Sequence, residues 1–409
     1  MKKILWLSDS PTTTTGYGTV TRNILNRLSD HYECHCLGHN YVGQTLKPPI
    51  KIEDGTELKF TLHGSGGEKY SVDKIQHLIR KLDIDIFGVL LDTFMAYDAG
   101  FLNIDTSPAK TFFYYPTDGG GRLPLMCENI LKKVNYPVAM AKFGKLQVEK
   151  AHSIKSKYIP HGFDKKYFYP LSKKKKAEIR QKWKLENKFV VGVVARNQGR
   201  KMLDLTLKSF KLFCVNHPDA VLLMHSDPHD KAQSFNITDL INRLKLNNRI
   251  IFTGTTFFNP FGYDQMNEIY NLMDIFYLTT SGEGFGVPLV EAMACGVPQL
   301  ATDYTTTNEL VTEHPKSGES IKLAGRENSA PYPHTDEPIN GTITGSWNVE
   351  RGIASVTDAV EKLSFMYAQK KANSDIWKEY VNNSIEKSQW YKWDFIMPLW
   401  DVLFSEMTK

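Results

Sequence analysis

Short apolar runs alternate with amphipathic stretches along the first half of the chain. The apolar runs predict strands at 3–8, 32–37, 84–91, 111–115, 136–140 and 157–159. Apolar residues at helical spacing predict helices at 19–28, at 72–82 and from Phe143 onward. Because strands alternate with helices, we expect a parallel sheet covered by helices on both faces, which is a doubly wound α/β domain.

The same alternation restarts after a segment of different character. Residues 160–176 contain two prolines, several aromatic residues and a lysine run, and they are interpreted as a linker. Beyond it, strands are predicted at 189–194, 221–225, 250–253 and 275–278, with a helix at 203–213. The polar, Gly- and Pro-rich stretch 313–347 is interpreted as a long loop or small insertion, and three helical segments close the chain. We therefore predict two Rossmann-like domains, 1–165 and 166–385, and a C-terminal helix at 386–409 that packs back towards the first domain.

Two domains of this class make a prediction about where chemistry is found. An open parallel sheet binds ligands beyond the carboxyl ends of its strands, where the strand order reverses. Two such edges that face each other would form one deep cleft. Residues with a chemical role are therefore expected directly after strands in both halves.

Composition sets wide limits on the class of protein. The chain has 409 residues, of which 41% are apolar, and a net charge of +5, so it can bury two cores and does not require a nucleic-acid partner. Its five cysteines are scattered and its first apolar stretch is interpreted as a strand, which favours a reduced cytoplasmic protein without structural zinc. The lysine run Lys173–Lys176 is interpreted as a solvated face. Contact of basic residues with an anionic polymer or the inner membrane face is the alternative.

The clearest motif is residues 279–298, TTSGEGFGVPLVEAMACGVP. A buried strand ends at Leu278, and a glycine-rich turn leads into a helix that begins near Val287, with Pro288 suited to the first helical turn. Backbone N–H groups at a helix start attract anions, and Glu283 and Glu291 can accept hydrogen bonds from sugar hydroxyls. A capped helix with two solvated glutamates is the simpler alternative.

A pair of cations follows another predicted strand. Arg196 comes after the strand that ends at Val194, and Lys201 lies across a short turn, just before the next helix. An arginine fork and a lysine point charge suit a diphosphate group. Arg200 lies between them and is able to replace either one. A solvated charged turn is the alternative.

These motifs together resemble those of the retaining GT-B glycosyltransferases, especially family four. The E-x7-E spacing of Glu283 and Glu291 is that family's signature. The resemblance extends to three other segments: 159–164 (IPHGFD), 194–196 (VAR) followed by Lys201, and 250–254 (IIFTG). It implies a GT-B fold in which 1–165 is the acceptor side and 166–385 binds the donor.

The resemblance also implies an activity and roles for individual residues. The activity is transfer of a sugar from a nucleoside diphosphate to an acceptor hydroxyl, with retention of configuration and without a metal. Glu291 would bind the ribose hydroxyls, Glu283 the donor sugar, and Arg196 and Lys201 the diphosphate. The donor site would include Gly284, Phe285, Gly286 and Val287.

Two positions in the first half leave their roles open. Gly16-Tyr17-Gly18 opens the first helix, but Thr21 stands where a dinucleotide fingerprint needs its third glycine. By the resemblance, this loop approaches the donor phosphates or the acceptor. Asp118 follows a strand where many family members have a histidine near the transferred sugar. It orients a donor hydroxyl, orients an acceptor hydroxyl or caps the turn.

Substrates and rival functions are only partly defined. A UDP-sugar is the expected donor, with a GDP-sugar as the alternative; the acceptor is open, and no cofactor or obligate protein partner is expected. Asp83-Ile84-Asp85 has metal-binding spacing but precedes a strand, so we interpret it as a strand start. The rivals are a sugar-nucleotide epimerase, a phosphorylase-like enzyme with pyridoxal phosphate, and a non-catalytic sugar-nucleotide-binding protein.

Overall fold

The computed structural model divides the chain into two units, each built on its own parallel sheet. The first unit contains 1–117, 122–162 and 393–409, and the second contains 118–121 and 163–392. The structure describes residues 1–13, 15–52, 55–67, 72–121, 123–231, 233–256, 260–324, 342–344 and 349–409.

The first unit is a seven-stranded parallel sheet with a helix between most successive strands. Its strands are β1 Lys3–Ser8, β2 Glu33–Gly38, β3 Ile50–Lys51, β4 Glu57–Leu58, β5 Thr61–Gly64, β6 Ile86–Leu90, β7 Lys110–Tyr115, β8 Tyr136–Ala139 and β9 Lys157–Tyr158. Its first five helices are α1 Gly16–Leu28, α2 Val72–Leu82, α3 Thr93–Asp98, α4 Leu125–Lys133 and α5 Lys142–His152. The sheet order is β5-β2-β1-β6-β7-β8-β9, and β3 pairs with β4 in a separate antiparallel ribbon that joins β2 to β5 in place of a helix.

The second unit repeats this plan with six parallel strands. Its strands are β10 Phe189–Val194, β11 Ala220–His225, β12 Ile250–Phe252, β13 Ile275–Leu278, β14 Gln299–Thr302, β15 Gly318–Ile321, β16 Thr342–Thr344 and β17 Glu350–Gly352. Its helices are α6 Lys173–Lys182, α7 Leu203–Phe213, α8 Ile237–Arg243, α9 Tyr263–Leu272, α10 Val287–Ala294, α11 Thr306–Val311, α12 Val356–Ala372 and α13 Asp375–Gln389. The sheet order is β12-β11-β10-β13-β14-β15, and β16 pairs with β17 in an antiparallel hairpin.

The strand order reverses once in each sheet, and this fixes where a site can form. In the first unit the reversal lies between β1 and β6, and in the second it lies between β10 and β13. Loops that leave two such strands diverge to opposite sides of the sheet and leave a crevice at their carboxyl ends. The predicted α/β class with two doubly wound sheets is confirmed, and the strands are continuous apolar runs because both sheet faces are covered.

The last helix, α14 Trp393–Met407, belongs to the first unit. Its fully buried Trp400 packs edge-on against Trp6 and Tyr114, with ring centroids 5.5 and 5.0 Å apart. Aromatic edge-to-face pairs of this kind add to the free energy gained by burying the rings. This cluster explains why the end of the chain groups with the residues at its beginning.

Two predicted loops are corrected by the structure. The predicted linker at 160–176 extends too far, because α6 begins at Lys173 and Ser172 caps it by accepting a hydrogen bond from the backbone N–H of Lys175 at 3.2 Å. The predicted loop at 313–347 contains β15, which pairs in register with β14. Residues 325–341 and 345–347 of that segment lie outside the described residues. None of the helices in the described ranges combines the length and apolarity that a membrane span requires.

Candidate functional site

The loop between β13 and α10 lies at the reversal point of the second sheet. Gly282 passes so close to the backbone carbonyl of Asp118 that a Cβ atom would collide with it. Gly286 has φ +97°, a left-handed conformation that favours glycine, and the chain turns there into α10 with Pro288 in the first turn. The side chain of Phe285 is buried against Tyr391. The loop therefore presents backbone, together with the Glu283 carboxylate, at the carboxyl edge.

Glu283 is buried, and its carboxylate forms ion pairs with Arg200 and Lys201. Its Oε2 accepts a hydrogen bond from Arg200 Nη1 at 2.9 Å, and its Oε1 accepts one from Lys201 Nζ at 2.5 Å. Its backbone N–H donates to Thr305 Oγ1 at 2.9 Å. Burial alone would raise the pKa of Glu283, but the charges and hydrogen bonds of Arg200 and Lys201 lower it to about 2. Glu283 is therefore a fixed carboxylate acceptor.

The turn after β10 aims these two cations at Glu283. The carbonyl of Arg200 accepts hydrogen bonds from the backbone N–H of Ser281 at 2.6 Å and from the hydroxyls of Thr280 and Ser281 at 3.1 and 2.9 Å. The loops that leave the two strands at the reversal point are thus bonded to each other. Burial, together with the charge of Arg200, lowers the pKa of Lys201 to about 8 despite the nearby Glu283.

Asp118 joins the same network through a residue on β17. Arg351 Nη1 lies 2.9 Å from Asp118 Oδ2 and donates to the Asp118 carbonyl at 2.5 Å, while Arg200 Nε lies 3.9 Å from the same carboxylate oxygen. Residue 118 therefore belongs by its contacts to the second unit. We call Asp118, Arg200, Lys201, Glu283 and Arg351 the charge cluster; it contains three cations and two carboxylates.

Main-chain bonds hold the two ends of this network in place. Gly120 and Glu350 exchange backbone hydrogen bonds at 3.0 and 3.1 Å, and Gly352 donates to the Ser281 carbonyl at 3.0 Å. The hydroxyl of Tyr304 donates to the Glu350 carbonyl at 2.7 Å and accepts from the Gly120 N–H at 3.0 Å. The strand β17 thereby fastens the Asp118 loop to the Glu283 loop.

Arg196 is held by a different acid. Its guanidinium forms a two-point ion pair with Asp230, one contact being Nη2 to Oδ1 at 3.0 Å and the other Nε to Oδ2. Asp230 is buried in the loop that follows β11, whereas the Arg196 side chain is 40% exposed. The structure therefore brings Lys201, Arg200, Glu283 and Asp118 together, and it places Arg196 beside Asp230.

Glu291 lies on α10 and faces α9. Its Oε2 accepts a hydrogen bond from the hydroxyl of Tyr270 at 2.6 Å. Burial raises the pKa of Glu291 to about 7, and the hydrogen bond from Tyr270 offsets only part of that effect. Near neutral pH this carboxyl is therefore divided between its protonated and ionised forms.

The glycines of the first unit differ from each other. A Cβ atom on Gly18 would lie 2.6 Å from the Ser10 carbonyl, so the loop after β1 folds tightly onto the start of α1, whereas at Gly16 nothing lies within 4 Å. Thr15 caps α1 by accepting from the Gly18 N–H at 3.1 Å. The Tyr17 hydroxyl donates to Asp92, which follows β6, at 3.0 Å. These contacts form a polar turn at the reversal point of the first sheet.

Several residues of the site escaped sequence reasoning. Arg351 follows a long polar stretch and belongs to no motif, so nothing in the sequence relates it to Asp118. Asp230 had a weak signal, because the DPHD segment at 227–230 comes directly after a strand. Among the described residues, no group of three or more His, Cys, Asp or Glu side chains is placed to hold a metal ion. The expected independence from metals stays a prediction.

Comparisons with known proteins agree on the class of this chain. Residues 175–322 match the family model described as glycosyl transferases group 1. Mannosylfructose-phosphate synthase from Agrobacterium fabrum is 30% identical over 151 residues, which are 35% of this chain and 32% of that protein. The lipopolysaccharide core biosynthesis mannosyltransferase LpsB from Rhizobium meliloti is 32% identical over 157 residues, which are 38% of this chain and 42% of that protein. The matches thus span less than half the length of these curated relatives.

Solved structures extend the similarity to the whole fold. Sucrose-phosphate synthase from Thermosynechococcus elongatus has a TM-score of 0.72 at 14% identity, and the superposition covers 100% of this chain and 99% of that chain. Anabaena HepE in complex with UDP and glucose has a TM-score of 0.68 at 15% identity, and the superposition covers 99% of this chain and 100% of that chain. At such identities the likeness concerns the fold alone. The chain therefore has the GT-B fold and carries, at 175–322, a domain of the glycosyl transferases group 1 family.

Proposed function

We propose that this protein transfers a sugar from a nucleoside diphosphate to an acceptor hydroxyl with retention of anomeric configuration. The observation that carries the proposal is the charge cluster at the reversal point of the second sheet, where Arg200 and Lys201 share the buried Glu283. Dinucleotides and nucleotides bind at this point of doubly wound sheets. Group 1 membership of 175–322 supports the same assignment.

The donor would bring its diphosphate to the cations of the charge cluster. Three cations and two carboxylates leave one positive charge in excess before the donor arrives, so the cluster attracts an anion without a metal. Lys201 and Arg200 are already at the carboxyl edge beside the start of α10, whose backbone N–H groups add to the anion site. Arg196 would reach the diphosphate while Asp230 keeps its guanidinium oriented.

The carboxylates of the site would recognise the hydroxyl groups of the donor. Glu283 is ionised throughout the physiological pH range and would accept hydrogen bonds from the donor sugar. In its ionised form, Glu291 would accept hydrogen bonds from the ribose hydroxyls, and the hydrogen bond from Tyr270 would fix the orientation of its carboxylate. Asp118, held by Arg351, would orient a hydroxyl of the donor sugar or of the acceptor. The nucleoside is proposed to be uridine because HepE was solved with UDP and with UDP-glucose; guanosine is the alternative.

The reaction would depend on position and charge. The diphosphate would leave from the face that the acceptor attacks, and a donor phosphate oxygen would take the acceptor proton. Cations at the diphosphate stabilise the negative charge that grows there as the sugar bond breaks. Residues 1–117 and 122–162 would form the acceptor side. No nucleophilic side chain is required by this scheme.

The first test is a stability screen of nucleotide sugars. A ligand that binds only the folded protein raises its melting temperature, so UDP-sugars and GDP-sugars can be ranked directly. The donor found in this way is then incubated with candidate acceptors, and proton NMR of the product reports the anomeric configuration. Binding without turnover for any acceptor would favour a non-catalytic binding protein, and conversion of the donor without an acceptor would favour an epimerase. Inversion at the anomeric carbon would contradict the retaining mechanism.

A further inference from the structure

A cavity of about 340 Å³ lies in the second unit at the sheet edge opposite the charge cluster. Asp274 directly precedes β13 and Pro298 directly precedes β14, and both line the cavity. It therefore lies at the amino ends of these strands, whereas Glu283 follows the carboxyl end of β13. Helices α6, α12 and α13 supply the remaining charged and aromatic walls.

The lining of this cavity is strongly biased towards positive charge. Lys176, Arg180 and Lys370 line it, and Asp274 is the single carboxylate among the lining residues. One carboxylate among three cations leaves two positive charges in excess. Cations that are partly removed from water are costly unless an anion accompanies them.

Arg180 and Asp274 form a fixed part of the wall. Asp274 Oδ2 lies 2.8 Å from Arg180 Nη2 and accepts a hydrogen bond from the backbone N–H of Val190 at 2.8 Å. Arg180 also donates to the Leu272 carbonyl at 2.8 Å. Both side chains are thus occupied by the fold, and their charges largely cancel each other.

The two lysines are the cations that face a ligand. Lys370 Nζ lies 3.4 Å from Asp274 Oδ1, which is longer than a typical N–H···O hydrogen bond. The same ammonium group lies 5.2 Å from the centre of the Trp377 ring. The ammonium group of Lys176 has no hydrogen-bond or ion-pair partner among the residues that the structure describes, and its backbone N–H donates to the Ser172 carbonyl at 2.9 Å. Burial, together with the like charges of Lys370 and Arg180, lowers the pKa of Lys176. Its ammonium group therefore stands in a positive field that an anion would neutralise.

Trp377 limits the size and shape of that anion. Trp377 is 5% exposed and lines the cavity beside the lysines. A cavity of this volume is larger than orthophosphate needs and is within the usual range of small-molecule sites. We propose that this cavity is a second ligand site, separate from the donor site, for a small phosphorylated metabolite. Its phosphate would pair with Lys176 and Lys370, and its ring would lie against Trp377.

The test is calorimetric titration of the full chain with four probes: glucose 6-phosphate, ribose 5-phosphate, inorganic phosphate and glucose. We expect a sugar phosphate to bind the wild-type protein and glucose not to bind. Lys176→Met and Lys370→Met should each lower the affinity for the sugar phosphate by about 10-fold or more, since each removes a charged hydrogen-bond donor. Lys173→Met, an exposed lysine on the same helix, is the matched control and should bind as the wild type does.

A donor-site variant separates this proposal from the proposed function. Lys201→Met should lose affinity for UDP and keep its affinity for the sugar phosphate. If Lys201→Met instead abolishes sugar-phosphate binding while Lys176→Met leaves it unchanged, the anion site is the donor site and the proposal is wrong. It is also wrong if no sugar phosphate binds the wild type at millimolar concentration. Equal affinities for inorganic phosphate and the sugar phosphates would overturn the role of Trp377 and the metabolite class.

Discussion

The two units share a strand order but differ at the point where that order reverses. In the first unit, the start of α1 meets the loop after β6 through the Tyr17 hydroxyl, which donates to Asp92 at 3.0 Å. The loop after β1 meets the loop after β2 through Asp9 and His39, whose Oδ1 and Nε2 atoms lie 2.6 Å apart. In the second unit, the equivalent loops after β10 and β13 bring together the charge cluster. The same reversal of strand order therefore carries different chemistry in the seven-stranded and the six-stranded sheet, because the loops and not the sheet determine what each crevice can bind.

This comparison makes a strong prediction about turnover. Lys201→Ala removes a preorganised cation from the second crevice, and we expect it to lower turnover by about 10²- to 10³-fold while changing the donor Michaelis constant less. Lys208→Ala is the matched control, since Lys208 lies on α7 and is half exposed. Its ion pair with Asp204 at 2.8 Å is on the surface, where such pairs contribute little to stability. Steady-state kinetics, with circular dichroism to verify folding, would measure both variants. Loss of donor affinity with full turnover at saturation would mean that Lys201 only binds.

The ribose contact is expected to have the next largest effect. Glu291→Ala removes a charged acceptor, so UDP should bind about 10- to 100-fold more weakly. Tyr270→Phe removes only the partner of Glu291 and should have a smaller effect in the same direction. Calorimetric titration with UDP provides both values. An unchanged dissociation constant in Glu291→Ala would refute the assignment.

The raised pKa of Glu291 gives a prediction about pH. Because the donor should require the ionised carboxyl, affinity for UDP is expected to fall as the pH decreases through about 7. The folded protein keeps this proton up to a higher pH than the unfolded chain does, so the contribution of Glu291 to the free energy of unfolding should decrease between about pH 4.5 and 7. Glu291→Gln should flatten both profiles in that range. Parallel pH profiles for the wild type and Glu291→Gln would show that another group titrates.

The smallest expected effect concerns Arg351. Arg351→Met and Asp118→Asn should each lower activity by about 5- to 10-fold, and the double variant should be no worse than either single one because the two side chains act as a pair. Kinetics of the three variants form a double-mutant cycle. Additive losses would show that Arg351 does not act through Asp118.

Sequence reasoning located the second crevice more successfully than it located its side-chain partners. The strand that ends at Leu278, the helix from Val287 and both glutamates follow from local patterns, because turn and helix signals are contained within a few residues. The pairing of Arg196 with Asp230 does not, since hydrophobic periodicity carries no information on where an exposed side chain points. Arg351 is separated from Asp118 by most of the second unit, so only the folded chain relates them.

The strand β15 and the helix α6 were not predicted because their local sequences lack clear apolar patterns. The strand β15 contains glycine, glutamate and serine in four residues and lacks the apolar run of its neighbours. The helix α6 begins with four lysines and buries only Ile179, so its apolar spacing is too sparse to recognise. Its Ser172 cap was the available signal, but the lysine run favoured a solvated linker.

Hydrogen–deuterium exchange in the presence of UDP tests the difference between the two crevices most directly. Bound UDP should slow exchange most strongly at amides of 199–202 and 282–287, which form the two loops at the reversal point of the second sheet. Protection should decrease in Lys201→Ala and persist in Lys208→Ala. If UDP instead protects 10–18 after β1 most strongly and leaves both loops of the second unit unchanged, the donor does not bind at the charge cluster and the account given for this protein is contradicted.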